Sequence, residues 1–381
     1  MLRNLILLIS LFAVSPIFSA VTSPCSAHQC IAVIDAGSTG SRLHIYSYDK
    51  DDTQTPTNIH ELWTNKIKPG FASIEPNAAT MDAYLTSLLS LKDAPDVTIP
   101  VYFYATAGMR LLSQSRQNKY YEGLQHWFKN QSQWQLKEAK TITGNQEALF
   151  DWLSVNYYLG SLQSGQKSIG VMDMGGASVQ IVFPIEKNTT LDTKSQIELD
   201  LYNHHYNLFV HSFLGLGQTE MSHQFLNSAS CFANNYPLPD GESGQGNVTA
   251  CEQEVSSLMN AVHRVNNLVQ PLLSSNPVDS WYTMGGIANL AESKLFHFDN
   301  QQLTNQTLLQ QADNQICHQQ WETLNDQFPN DDYVYQYCLF SAYYFALMVD
   351  GYGIPQEQAI NYIPPEKNLD WTTGVVLHHS E

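Results

Sequence analysis

Hydrophobic and polar positions alternate in the same way in two distant stretches of the chain. In residues 31–46, IAVIDAGSTGSRLHIY, apolar residues alternate up to Asp35, six small or polar residues follow, and the alternation resumes at Leu43. Residues 169–184, IGVMDMGGASVQIVFP, repeat this layout with Asp173 in the place of Asp35. Each stretch predicts two β-strands joined by a glycine-rich turn. The matched apolar positions favour a duplicated domain over a chance similarity between two turns.

Two further segments lie between these hairpins. Residues 99–112, IPVYFYATAGMRLL, predict a buried strand followed by a helix, with Thr106 and Arg110 at the junction. Ligands of α/β proteins bind at such strand ends. The alternative for Arg110 is a solvated position on the helix.

The second of these segments, residues 142–160, ITGNQEALFDWLSVNYYLG, predicts a helix over about 145–158. Thr143 and Gln146 have capping-box spacing, so the helix begins there. Glu147 falls in the first turn, where the helix dipole favours a carboxylate for purely structural reasons. An ionised carboxylate can also orient and deprotonate water, which gives Glu147 a second, catalytic interpretation.

The turn composition predicts a clamp for phosphate. Small residues let the backbone approach a ligand closely and direct successive N–H groups at an anion. Asp35 and Asp173 would repel a phosphate, and a divalent cation between carboxylates and phosphate oxygens resolves that conflict. The sequence contains no P-loop, dinucleotide-binding, zinc-protease or nucleophile-elbow motif.

Charge and length narrow the class of partner. The 381 residues suit two domains or lobes, and the formal net charge of −18 disfavours nucleic acid and anionic membranes as partners. Residues 1–20 combine one Arg with a short apolar run, the layout of a signal peptide, and no second apolar run reaches membrane-spanning length. We therefore expect an exported protein, secreted or periplasmic, without a stable membrane anchor.

The six cysteines predict disulfide bonds. An even number in an exported chain favours three disulfides over a metal cluster, since no C-x-x-C spacing is present. Six cysteines allow 15 pairings. Proximity along the chain favours Cys25–Cys30, Cys231–Cys251 and Cys317–Cys338.

Five stretches together resemble the conserved regions of the nucleoside triphosphate diphosphohydrolase (apyrase, GDA1/CD39) family. They are DAGSTGSR (35–42), ATAGMR (105–110), the Glu147–Trp152–Asn156–Tyr157 pattern, DMGGASVQI (173–181) and the weaker match DWTTG (370–374). The resemblance implies an α/β, two-lobed actin-like (RNase H-type) fold with the active site in the inter-lobe cleft. Lobe I would comprise residues 31–159 plus 362–381, and lobe II residues 160–361.

The resemblance also implies roles for individual residues. Glu147 would be the catalytic base, Ser178 and Gln180 would position the attacking water, and Asp35 and Asp173 would hold Mg²⁺ or Ca²⁺ largely through water. The phosphate-binding set would comprise Ser38, Thr39, Gly40, Ser41, Gly175, Gly176 and Ala177, with weaker support from Arg42, Thr106 and Arg110. Asn156 and Trp371 would support the site.

The nucleobase region matches the family less well. WYTMGGIANL (281–290) and DDYVYQYC (331–338) lie roughly where family members hold the base. Asn289 and Tyr333 are the predicted contacts, since an aromatic ring can stack on any base. The alternative for the tyrosines is a strand with alternating side chains near a disulfide. Two departures from the family pattern are Ala148, where a glycine commonly follows the catalytic Glu, and Thr373, where an apolar residue is usual.

The leading hypothesis is an exported enzyme that converts nucleoside tri- and diphosphates to monophosphates. An exopolyphosphatase or a kinase of the same superfold is the second, although an export signal disfavours a kinase. A non-catalytic nucleotide-binding protein is the third, and the presence of Glu147, Ser178 and Gln180 favours catalysis over it.

Overall fold

Both predicted hairpins form, and each lies at the centre of its own β-sheet. The computed structural model describes residues 24–91, 97–164, 169–187, 189 and 194–378, so the predicted signal peptide lies outside the described residues. The first sheet has the strand order β3-β2-β1-β4-β5. Its strands are β1 Gln29–Ala36, β2 Ser41–Lys50, β3 Pro56–Ile67, β4 Ile99–Ala105 and β5 Trp134–Thr141.

The second sheet has the order β11-β12-β10-β6-β7-β9-β8. Its strands are β6 Gly170–Met174, β7 Ser178–Pro184, β8 Gln196–Leu201, β9 His204–Leu214, β10 Trp281–Gly285, β11 Gln302–Thr304 and β12 Ala359–Tyr362. The run β9-β7-β6-β10-β12 repeats the strand directions of the first sheet, with two antiparallel pairs followed by two parallel pairs. This is the topology that a duplicated domain predicts.

The hairpin register obeys the same repeat. Asp35 pairs with Arg42 across the first hairpin, and Asp173 pairs with Gln180 across the second. The two aspartates therefore occupy equivalent positions near the ends of equivalent strands.

Helices surround both sheets. They are α1 Pro24–Ala27, α2 Ala78–Leu88, α3 Ala107–Arg110, α4 Gln114–Phe128, α5 Gly144–Tyr158, α6 Ser161–Ser164, α7 Gln218–Gln224, α8 Val248–Leu258, α9 Val265–Ser275, α10 Gly286–Ala291, α11 Asn305–Ala312, α12 Trp321–Gln327, α13 Tyr337–Phe345 and α14 Thr372–His378. Short 3₁₀ and π-helical turns connect or extend several of them. Within the described residues, none of the helices has the length and apolar character needed to span a bilayer.

Local sequence signals explain several of these elements. Helix α5 begins with the predicted capping box, in which the Thr143 hydroxyl accepts from the Gln146 N–H and the Gln146 side chain accepts from the Thr143 N–H. All three disulfides of the structure are those that proximity favours. The strand alternative for the tyrosine-rich segment is wrong, because residues 334–336 form a 3₁₀ turn and α13 follows at Tyr337.

Helices α5 and α14 lie between the two sheets. Helix α5 packs against α14 and against β6, β7 and β9, while α14 also contacts β1 and β3. One buried apolar cluster includes Val33 of the first sheet, Val171 of the second, Trp152 of α5 and Val375 of α14. Helix α14, near the C-terminus, therefore packs beside strands β1 and β3 from the N-terminal part of the chain.

A buried ion network anchors this last segment to β2. The His44 side chain has no solvent exposure, and its two ring nitrogens lie 2.5 Å from Glu61 Oε1 and 2.9 Å from Asp370 Oδ2. Burial alone lowers the pKa of His44, but the Asp370 and Glu61 carboxylates raise it to about 10. Burial opposes ionisation of Asp370, yet protonated His44 and hydrogen bonds from Thr372 lower its pKa to about 2. Asp370 also caps α14 by accepting from the Thr372 N–H at 2.9 Å.

We expect His44→Gln to weaken the fold in a pH-dependent way. A histidine whose pKa is raised by folding stabilises fully below its unfolded value of about 6.5, and this contribution is lost as pH rises toward 10. The free energy of unfolding should fall by about 3–5 kcal/mol at pH 6, because the buried carboxylate of Asp370 loses its cation. Urea denaturation between pH 6 and pH 10 measures this difference, which should shrink with pH. His60→Gln, at an exposed position of β3, is the control, and a loss that stays constant with pH would contradict the ion network.

Candidate active site

The two glycine-rich turns face each other. A Cβ placed on Gly176 of the second turn would lie 2.7 Å from Ser38 Oγ and 3.4 Å from Thr39 Cγ2 of the first. A side chain at position 176 would therefore displace the Ser38 hydroxyl of the facing turn. One turn from each sheet therefore lies next to the other, as an anion-binding clamp built from two turns needs.

Two equivalent aspartates end the strands that lead into these turns. Asp35 is buried, and Asp173 is partly buried. Burial and the negative charge of Asp370 raise the pKa of Asp35 to about 7. Burial and the negative charges of Glu147 and Asp370 likewise raise the pKa of Asp173 to about 7. A divalent cation bound here would compensate the excess negative charge of these buried carboxylates.

The donor set fits a hydrated cation. Asp35 Oδ1 is buried and has no hydrogen-bond partner among the described residues. No group of three or more His, Cys, Asp or Glu side chains in the described part of the chain is arranged to chelate a metal directly. A cation here would keep water in its shell, as Mg²⁺ commonly does.

Glu147 is held by an arginine from the neighbouring strand–helix junction. It lies in the first turn of α5 and is buried. Arg110 Nη2 donates to Glu147 Oε2 at 2.8 Å and to Ser178 Oγ at 2.9 Å. Burial raises the pKa of Glu147, and the Arg110 charge and hydrogen bond oppose this rise. Arg110 has only 14% of its side chain exposed, so the interpretation as a solvated helix residue is wrong.

The contact of Arg110 with Ser178 connects Glu147 to the second hairpin. Ser178 Oγ accepts a hydrogen bond from Gln180 Nε2 at 2.8 Å, and this amide also contacts Ser212 Oγ at 3.1 Å. Gln180 Oε1 is buried and has no hydrogen-bond partner among the described residues. The structure thus brings together Glu147, Ser178 and Gln180, which were predicted from segments far apart in the chain.

The remaining predicted phosphate and support residues have varied surroundings. Ser41 is buried, and its hydroxyl accepts from Tyr84 at 2.8 Å. Arg42 lies on the hairpin strand with its guanidinium 3.9 Å from Asp370. The Thr106 N–H donates to the Ala36 carbonyl at 3.2 Å, which ties the end of β4 to the first hairpin. Gly40 and Gly175 lie in the two turns beside Thr39 and Gly176, and Ala177 is buried immediately before β7.

The supporting and nucleobase candidates separate into interior and surface positions. Asn156 is buried and accepts from Ser161, so its contacts hold α5 to the following turn. Trp371 is buried against Phe150, with ring centroids 6.2 Å apart. Asn289 lies on the exposed side of α10, and Tyr333 is 54% exposed. Binding of a nucleobase by Asn289 and Tyr333 stays a prediction.

Sequence reasoning missed three acidic or basic residues beside the site. Asp370 lies inside the DWTTG stretch, but the resemblance implied a role there for Trp371 and none for Asp370. His44 alternates with apolar residues on β2, and nothing local distinguishes it from a surface histidine. Asp151 follows Glu147 by one helical turn, and that spacing was the one available signal that the two share a face.

Comparisons with known proteins identify the family of this chain. Residues 22–381 match the GDA1/CD39 (nucleoside phosphatase) family. The chain is similar to ectonucleoside triphosphate diphosphohydrolase 1 of Bos taurus, with 26% identity over 91% of this chain and 80% of the relative. It is also similar to the Golgi apyrase of Schizosaccharomyces pombe, with 27% identity over 90% of this chain and 74% of the relative.

Solved structures show the fold. A structure titled as nucleoside triphosphate hydrolases from Neospora caninum aligns with a TM-score of 0.60 and 15% identity, covering 92% of each chain. The Ppx/GppA phosphatase of Aquifex aeolicus aligns with a TM-score of 0.53 and 15% identity, covering 92% of this chain and 98% of that one. These likenesses confirm the two-lobed actin-like α/β fold. Because the match spans nearly the whole described chain, this protein belongs to the GDA1/CD39 (nucleoside phosphatase) family.

Proposed function

We propose that this protein hydrolyses nucleoside tri- and diphosphates to monophosphates and phosphate, by direct attack of water on the terminal phosphoryl group. The observation that carries the proposal is the contact of Arg110 with both Glu147 and Ser178, next to two facing phosphate-type turns. Family membership and relatives named as diphosphohydrolases and apyrases support the same reaction class.

Glu147 is the proposed general base. Arg110 favours the ionised form of its carboxylate against the effect of burial, so the group can accept a proton from water. Ser178 and Gln180 are proposed to orient that water. The unpartnered Oε1 of Gln180 supplies a buried acceptor for one of its protons.

The two turns are proposed to cradle the phosphates. Their N–H groups and hydroxyls come from Ser38, Thr39, Gly40 and Ser41 on one side and Gly175, Gly176 and Ala177 on the other. Thr106 closes the cradle behind the first turn, and Arg42 adds positive charge at its edge. Such donors are effective because they are already oriented before charge develops.

Asp35 and Asp173 are proposed to hold Mg²⁺ or Ca²⁺ through water. When bound, the cation neutralises charge on the phosphate oxygens. Asn289 and Tyr333 are proposed to contact the nucleobase, with the tyrosine ring stacking on it. Residues 1–20 are proposed to direct export, and the three disulfides suit an oxidising compartment.

We expect Glu147→Gln to lower kcat for ATP by about 10²–10⁴-fold, because it removes the base while keeping the shape of the side chain. Phosphate release from ATP, ADP and tripolyphosphate in the presence of Mg²⁺ or Ca²⁺ measures the effect. Glu122→Gln, at an exposed position of α4, should leave kcat unchanged. Faster hydrolysis of tripolyphosphate than of ATP by the wild type would favour an exopolyphosphatase. Nucleotide binding without any phosphate release would favour a binding protein.

We expect Arg110→Ala to shift the acidic limb of the pH profile to higher pH. Arg110 opposes the rise in the pKa of Glu147, so its removal leaves burial unopposed and the base becomes protonated at higher pH. The profile of kcat/KM at saturating cation reports this free-enzyme pKa. Arg110→Lys keeps a positive charge and should shift the limb less. An unchanged limb in both variants would show that another group titrates there.

A further inference from the structure

Asp151 is a buried carboxylate that the proposed reaction does not use. It lies on α5 one turn after Glu147, and its side chain has no solvent exposure. Among the described residues, neither Oδ1 nor Oδ2 of Asp151 has a hydrogen-bond partner. An isolated buried carboxylate is strongly unfavourable in its ionised form, so the ionised form requires a compensating group.

The surroundings of Asp151 are those of the active site. Helix α5 packs against β6, which carries Asp173. Burial raises the pKa of Asp151 well above its usual value, and so do the negative charges of Asp173, Glu147, Asp370 and Asp35, in that order. The carboxylates that raise the pKa of Asp151 thus include both proposed cation ligands, Asp35 and Asp173, and the proposed base, Glu147.

Charge pairing leaves three of these carboxylates without a cation. Glu147 is paired with Arg110, and Asp370 is paired with His44. Asp35, Asp151 and Asp173 have no ion pair closer than 4 Å with a basic side chain of the described residues. A divalent cation placed among them would neutralise two of the three charges.

We propose that Asp151 is a positioning residue of the divalent-cation site, where it accepts hydrogen bonds from the hydrated cation that Asp35 and Asp173 hold. This inference rests on the proposed function, because it assumes the cation. Direct chelation is not required of it, since the described acidic side chains form no chelating triad. Carboxylates that orient the water around a metal commonly contribute 10–100-fold to its affinity.

Calorimetric titration of the chelator-treated protein with Ca²⁺ or Mg²⁺, without nucleotide, tests the proposal. Asp151→Asn keeps the side-chain shape and should weaken cation binding about 10–100-fold. Asp173→Asn is the control for the cation site itself and should weaken binding as well. Asp326→Asn, at an exposed position of α12, removes the same charge far along the chain and should bind like the wild type.

Thermal unfolding provides a second readout. Asp151→Asn removes an uncompensated buried charge, so without cation it should melt at a higher temperature than the wild type. Added cation should then raise its melting temperature less than it raises that of the wild type. A purely structural role predicts the opposite pattern, with lower cation-free stability and an unchanged cation-induced gain. Asp151→Ser is the second variant if the asparagine does not fold.

The outcomes separate this inference from the proposed function. Wild-type affinity in Asp151→Asn, together with a loss in Asp173→Asn, would overturn the role of Asp151 and leave the cation site standing. Absence of cation binding by the wild type, or wild-type binding by Asp173→Asn, would overturn the proposed cation site and this inference with it.

Discussion

The contact between the Arg110 guanidinium and two partners, Glu147 and Ser178, connects the parts of the candidate site. Arg110 lies in the short helix that follows β4, Glu147 lies in the first turn of α5, and Ser178 begins the second strand of the other hairpin. A guanidinium presents several N–H donors in a fixed plane, so it fixes the relative positions of the groups it contacts. It also compensates a carboxylate that burial would otherwise protonate. The positions of Glu147, the proposed base, and of the second turn therefore both depend on the Arg110 side chain.

The second constraint is an excess of buried negative charge. The negative charges of Glu147 and Asp370 raise the pKa of three further carboxylates, those of Asp35, Asp151 and Asp173. An acidic protein with a formal net charge of −18 can still receive a polyanion, because the local field is set by nearby N–H groups, arginines and a cation. His44 compensates a further buried carboxylate. It lowers the pKa of Asp370 and pairs with it, and this contact holds the C-terminal segment in place.

Local pattern predicted those features that depend on neighbouring residues in the chain. The hairpins, the capping box at Thr143 and the three disulfides follow from alternation, spacing and proximity. What the sequence did not predict depends on contacts between distant segments. The Tyr46 hydroxyl is hydrogen-bonded to the Thr372 hydroxyl, 326 positions later in the chain, and Asp370 pairs with His44 over a similar sequence separation. The tyrosine-rich segment was ambiguous for another reason, since alternating aromatic residues fit a strand while the buried run after Tyr337 fits a helix.

The internal repeat explains how one architecture provides two different halves of a site. Asp35 and Asp173 occupy equivalent positions, so the proposed cation would be held from both sides. Their cross-strand partners differ, because Arg42 carries a charge and Gln180 supplies a neutral amide. The helices after β4 and β10 differ in the same sense, since Arg110 is the fourth residue of α3 and Asn289 the fourth residue of α10. The two halves thus share their strands and their carboxylates and differ at equivalent positions, where one half supplies the Arg110 contact with Glu147 and the other presents an exposed amide.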